Sequence, residues 1–87
     1  MQALTYELTT TFDSARSFYG KARVIEKDGC KTLVSYRTEV MHYRDGVLTR
    51  SEGQPQSNTT ARHMREFAQQ CSFPWMSKAQ LLKLPTE

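Results

Sequence analysis

Three features of the chain predict an α+β fold in which an antiparallel meander of four or five strands packs on a C-terminal helix, with a short final helix at the rim. Two Asp-Gly pairs, Asp28-Gly29 and Asp45-Gly46, each lie between runs of strand-like composition, and Asp-Gly is the strongest short hairpin signal a sequence offers. No helical run separates the strands, so the crossover connections that a parallel sheet needs are missing. A single long amphipathic run follows the strands, which puts the main helix after the sheet rather than within it. The 87 residues are read as one domain spanning 1–87, and a domain of this size buries only about 60–65% of the surface its unfolded chain exposes.

Taken in order, Leu4–Thr10 alternates and is rich in Thr and Tyr, which reads as a first strand. Residues 12–17 form a polar connection in which Asp13 and Ser14 can make side-chain turns. Strand two is expected from about Phe18 to Lys27 and strand three from Cys30 to Arg37. If Lys27 faces Cys30 across the turn, then Glu26 faces Lys31, Val24 faces Leu33, Arg23 faces Val34 and Lys21 faces Tyr36. Strand alternation then sends Phe18, Ala22, Val24 and Leu33 to the core. Tyr19, Lys21, Arg23, Ile25, Thr32, Val34 and Tyr36 go to the other face. Gly20 reads as a bulge or a close backbone approach.

Strand four is expected over Thr38–Tyr43, with Thr38 and Glu39 carrying either a bend or a tight turn, and strand five over Val47–Ser51. Gly53 and Pro55 mark residues 52–57 as a loop. Asn58 or Thr59 is the expected cap of a helix over Thr59–Gln70. Its apolar face holds Ala61, Met64, Phe67, Ala68 and Cys71, and its polar face holds Arg62, Arg65, Glu66, Gln69 and Gln70. Phe73-Pro74-Trp75 breaks this helix, with Trp75 expected to plug the open end of the core. Ser77 then caps a short helix over Lys78–Leu84.

Composition bounds the function. Hydrophobic residues at 38% and charged residues at 24% describe a globular chain. No apolar run approaches the roughly 20 residues that span a bilayer. The N-terminal MQALTYELTT lacks the basic and apolar regions of a secretory signal, so a cytoplasmic location is expected. Cys30 and Cys71 lack metal-site spacing and read as reduced thiols; neither a metal nor a cofactor is expected. The net charge is +3 with a pI near 9.1. Between Arg16 and Arg37, six bases (Arg16, Lys21, Arg23, Lys27, Lys31, Arg37) stand against two acids (Glu26, Asp28). The hairpin therefore carries +4, more than the whole chain.

Candidate chemistry is sparse. His42 and His63 lack carboxylate partners at a motif spacing, and neither a His-Glu-x-x-His pair nor a glycine-rich phosphate loop occurs, so the chain reads as a non-enzyme. The partner-binding candidates are Tyr19, Lys21, Arg23, Tyr36 and Arg37. Aromatics on a basic strand platform can stack bases while the cations meet phosphates; equally, Tyr and Arg have the makeup of protein-interface cores.

The run from Thr10 to Ala22 has Ser17-Phe18-Tyr19-Gly20-Lys21-Ala22 as its most specific block. Together with the stretch from Leu33 through Ser35, Tyr36 and Thr38 to Val40, and with the run from Asn58 to Phe67, it resembles a family of small phage and prophage domains of unknown function. The likeness covers about Thr9 to Gln69. Members of that family often carry a tryptophan and a glycine just before the helix, where this chain has Gln54-Pro55-Gln56. The resemblance implies a phage or mobile-element origin and carries over no catalytic residue. The expected function is a non-enzymatic phage-type binding protein, whose finer form is an anti-CRISPR-like inhibitor of a host defence system. Its partner would be a host or phage protein, including a nucleoprotein complex. The alternative is a single-strand or RNA-binding accessory protein.

Overall fold

A computed structural model describes residues 3–86. Five strands, β1 (Leu4–Glu7), β2 (Ala22–Lys27), β3 (Cys30–Ser35), β4 (Thr38–Arg44) and β5 (Val47–Arg50), form one antiparallel sheet in sequence order. Helix α1 (Asn58–Gln70) packs across β3 and β4, and the single turn α2 (Lys78–Leu81) packs on α1. This is the expected α+β meander.

The β2–β3 register is the one the sequence dictates, from Lys27 opposite Cys30 to Ala22 opposite Ser35. Asp28 and Gly29 hold φ of 53° and 78°, and Asp45 and Gly46 hold 52° and 80°. Both turns therefore have the left-handed backbone that matches the twist of the flanking strands. The Val47–Arg50 strand pairs with β4 as expected, Tyr43 facing Leu48 and His42 facing Thr49.

Several boundaries differ. β1 ends at Glu7 and β3 at Ser35, and β2 begins only at Ala22. Gly20 is neither a bulge nor a close approach: it is the second residue of a Tyr19-Gly20 turn closed by the Lys21 N–H to the Phe18 carbonyl at 3.0 Å. The reversal between β3 and β4 lies at Tyr36-Arg37, before Thr38 and Glu39, which are already paired. A register shift between Leu33 and Val34 leaves Val40 without a partner. This β-bulge lets consecutive residues Val40 and Met41 both bury, at 1% and 0% exposure.

The core lies between the sheet and α1. Val24, Leu33, Met41 and Leu48 meet Ala61, Met64, Phe67 and Ala68, while Leu8, Phe18, Met76 and Leu81 close the ends. α1 begins one residue earlier than expected, and its cap is Ser57, whose Oγ accepts the Thr60 N–H at 3.1 Å. Ser77 caps α2, completed by the Gln80 side chain in a capping box. α2 ends at Leu81, short of Leu84. The residue that plugs the core is Met76; Trp75 stands 59% exposed. Among the described residues no helix is long and apolar enough to cross a membrane.

Phe67 is 2% exposed at the centre of this packing. Phe67→Ala is expected to lower the unfolding free energy by about 3–5 kcal/mol in urea denaturation. Ile25→Thr, on the sheet face away from the helix, is expected to change it by under about 1 kcal/mol.

Candidate functional site

The end of the sheet opposite the two Asp-Gly turns gathers four of the five candidate residues. Tyr19-Gly20 leads into β2 and Tyr36-Arg37 joins β3 to β4, and the Tyr36 N–H donates to the Lys21 carbonyl at 2.7 Å. The two turns are thereby neighbours. Tyr19 is 74% exposed and Tyr36 49%, and Lys21 and Arg37 are exposed beside them. The Lys21 ammonium lies 5.9 Å from the centre of the Tyr36 ring, within cation–π range. Among the described residues, Lys21, Arg23 and Arg37 make no ion pair.

These residues form a rim and do not share one face. Tyr36 has φ of 59°, which breaks the strand alternation. Its ring turns back toward the helix side, 5.9 Å from the His63 ring. Arg23 stays on the open face with Ile25, Thr32 and Val34, which no helix covers. There Val34 sits between Arg23 and Glu39 in the register and is 6% exposed. Tyr19 has φ of 55° and projects from its turn. Its N–H donates to Ser17 Oγ at 2.6 Å, and the Gly20 N–H donates to Glu7 Oε2 at 3.1 Å.

His63 lies beneath the rim at 2% exposure. Its Nδ1 is 2.8 Å from Ser35 Oγ, and the Phe18 ring meets it edge-on at 4.5 Å. A Ser–His pair has the parts of a nucleophile and base, but a reacting group needs a place about 3 Å from the hydroxyl. Here Ser35 is 3% exposed and lines a pocket of about 330 Å³ with Tyr36, Gln54 and Thr60, while the imidazole is packed against Phe18 and Tyr36. Burial, aided by the Arg62 charge, holds the His63 imidazole below its ordinary value of 6.5. His42 is part-buried in β4, with Nδ1 3.2 Å from Thr32 Oγ1. Among the described residues, no three of His, Cys, Asp or Glu gather as a metal-ligand set.

The connection between β1 and the Tyr19 turn is anchored by an acid that the helical pattern puts on the polar face. Glu66 is 1% exposed. Its Oε1 accepts the backbone N–H groups of Thr11, Phe12 and Asp13 at 3.2, 2.9 and 2.8 Å. Gln70 bridges the other oxygen to the Thr9 carbonyl at 2.7 Å. Asp13 accepts the Ala15 N–H at 2.8 Å in the expected side-chain turn and pairs with the Arg62 guanidinium. That pairing pulls the Asp13 carboxyl below its ordinary value.

A groove of about 510 Å³ crosses the outer side of α1 between Phe12 and Trp75, floored by Arg62, Arg65 and Gln69. The Arg65 guanidinium lies 4.7 Å from the Trp75 ring centre and donates to the Met76 carbonyl. This stacking keeps Trp75 out of the core, against expectation. The spacing of Arg62 and Arg65 on one helix face was legible in the sequence. The role of Phe12 was not, because it follows from the Glu66 anchor.

A family model matches residues 6–83, so the chain belongs to a family of unknown function (DUF8033). No curated protein and no solved structure matches it.

Because the folded imidazole binds its proton less readily than the unfolded one, the unfolded state takes up more protons as the pH falls through 6.5. Stability is expected to drop below that pH, with the loss levelling off once the folded imidazole is also protonated. Urea midpoints measured over about pH 7.5 to 5 should show the slope, and His63→Gln should remove it. Glu66→Ala, which strands the three N–H groups it serves, is expected to cost on the order of 2–3 kcal/mol. It should also raise hydrogen exchange at Thr11, Phe12 and Asp13.

Proposed function

We propose that this member of the family is a non-enzymatic binding protein that engages the acidic surface of a partner protein through the rim of Tyr19, Lys21, Tyr36 and Arg37, with Arg23 beside it. The observation that carries the reading is the backbone under the two tyrosines. Tyr19 and Tyr36 hold φ of 55° and 59°, a conformation that glycine or asparagine adopts far more easily than a ring-bearing residue. Each costs on the order of 1–3 kcal/mol, and such outliers cluster where strain serves binding. Both are exposed, and Lys21 and Arg37 beside them make no ion pair among the described residues.

A protein partner suits this geometry better than a base-stacking role. Stacking needs rings laid along one face, whereas Tyr36 is flanked by Lys21 and His63 and Tyr19 projects alone from a turn. The open sheet face carries Arg23, Ile25, Thr32 and Val34, without a Phe, Tyr or Trp. A projecting tyrosine framed by arginine is the composition of an interface anchor. In its finer form the proposal is a phage-type inhibitor, anti-CRISPR-like, that occludes a component of a host defence system. The resemblance to phage and prophage domains supports that form. The net charge of +3 argues against mimicry of DNA, which needs a dense acidic surface.

Affinity capture from lysate of the native host, with and without nuclease, tests the reading. The expected result is a stoichiometric protein that survives nuclease and is lost with Lys21→Glu/Arg37→Glu. It should be retained with the same charge change at Lys78 and Lys83. Recovery that vanishes with nuclease would favour the nucleic-acid alternative, whose affinity should fall about 0.7 log units per log salt for each phosphate met. Tyr19→Asn should weaken the partner roughly 30-fold or more. It should also raise stability by about 0.5–1 kcal/mol, because asparagine tolerates the left-handed turn.

A further inference from the structure

The two edges of the sheet are finished differently. At β5, the C-terminal segment runs alongside: Arg50 pairs with Thr86, its N–H donates to the Pro85 carbonyl at 3.0 Å, and its guanidinium donates to the Leu84 and Leu82 carbonyls. That edge is covered at Arg50, the last residue of β5. At β1 all four residues are exposed, and among the described residues no strand lies beyond them. β1 is short and carries one charge, Glu7, at its end, but has no proline, lysine or bulge.

The pairing of β1 shows which of its backbone groups are open. The Leu8 N–H donates to the Ala22 carbonyl at 2.9 Å, and Tyr6 and Leu4 follow at every second residue opposite Val24 and Glu26. In an antiparallel ladder these alternate positions bond the same neighbour. The N–H and C=O groups of Thr5, Glu7 and the preceding Ala3 therefore point away from the sheet.

We infer that β1 pairs with β1 of a second copy of this chain, antiparallel about a two-fold axis between the two Thr5 residues, to make one continuous ten-stranded sheet. The segment is self-complementary in that register. Thr5 faces Thr5 of the second copy as a hydrogen-bonded pair, and Ala3 and Glu7 face each other twice, so no like charges meet. Between them, Leu4 of each copy faces Tyr6 of the other, at the closely spaced positions where side chains touch. Leu4 and Tyr6 are 59% and 37% exposed in the single chain, and this pairing covers both. The Tyr6 hydroxyl donates to Glu26 Oε2, which holds the ring along the helix-side face where Leu4 of the second copy arrives. Moving the register by two residues would set Tyr6 against Tyr6 and Leu4 against Leu8, which is already buried in its own core, or Leu4 against Leu4 and Tyr6 against a glutamine.

Sedimentation velocity and light scattering at rising concentration test the inference. The expected result is a mass that climbs from 10.1 kDa toward twice that value by about 1 mM. Thr5→Pro removes an N–H that bonds nothing within the sheet and should hold the chain at the single mass. Leu4→Lys, which needs no backbone change, should do the same and decides the matter if Thr5→Pro does not fold. In a Cys30→Ser/Cys71→Ser background, Thr5→Cys should cross-link to itself on mild oxidation, because hydrogen-bonded partners have Cα atoms about 5.5 Å apart. Glu7→Cys, which faces Ala3, should not. A wild-type chain that stays at the single mass, or equal cross-linking of the two cysteine variants, overturns the inference.

Discussion

The molecule depends on the register across Asp28-Gly29. Once both turn residues take left-handed backbone, at φ of 53° and 78°, Val24 must face Leu33 and every side chain of the two central strands is assigned to a side. A slip of one residue would send the apolar set outward. From this pairing follow the inward line of Ala22, Val24 and Leu33, the face that α1 covers, and the open face that Arg23 and Val34 share. It also sets the distance to the next reversal, and so the neighbouring positions of the Tyr19 and Tyr36 turns.

Sharp reversals recur at both ends of the sheet, but their chemistry differs. The Asp-Gly turns use residues suited to positive φ. The opposite end reaches similar backbone angles with tyrosines, which gain nothing locally from it. Neighbouring structure holds them there: Ser17 and Glu7 accept the Tyr19 and Gly20 amides, and the Tyr36 amide is tied to Lys21. A sheet with one plain end and one strained, cationic end has a polarity that its fold alone does not require. The proposed binding rim is an account of that difference.

The buried carboxylate of Glu66 plays a comparable part for the long connection before β2. Three successive amides converge on one oxygen, so a polar segment is held against a helix by charge-assisted hydrogen bonds rather than apolar packing. This leaves Phe12 54% exposed and opposite Trp75 across the groove. The edge at β1 is a separate matter: its free groups are backbone N–H and C=O, and in the proposed pairing the same strand of a second copy meets them.

Local chemistry alone determined the order of elements, both Asp-Gly hairpins, the β2–β3 pairing and the apolar stripe of α1, because turn type and side-chain period act within a few residues. The Ser77 cap was legible for the same reason. Other features were decided by tertiary structure. Tyr36 turned from the platform to His63 because its reversal falls at Tyr36-Arg37, a pair without the glycine that would have announced it. Glu66 moved from the polar face into the interior because amides 53 to 55 residues away came to meet it. Trp75 stayed outside because Arg65 offered its ring a cation and Met76 filled the core instead. Each of these depends on groups distant in the chain, whose meeting is a consequence of folding and leaves no periodic trace in the residues themselves.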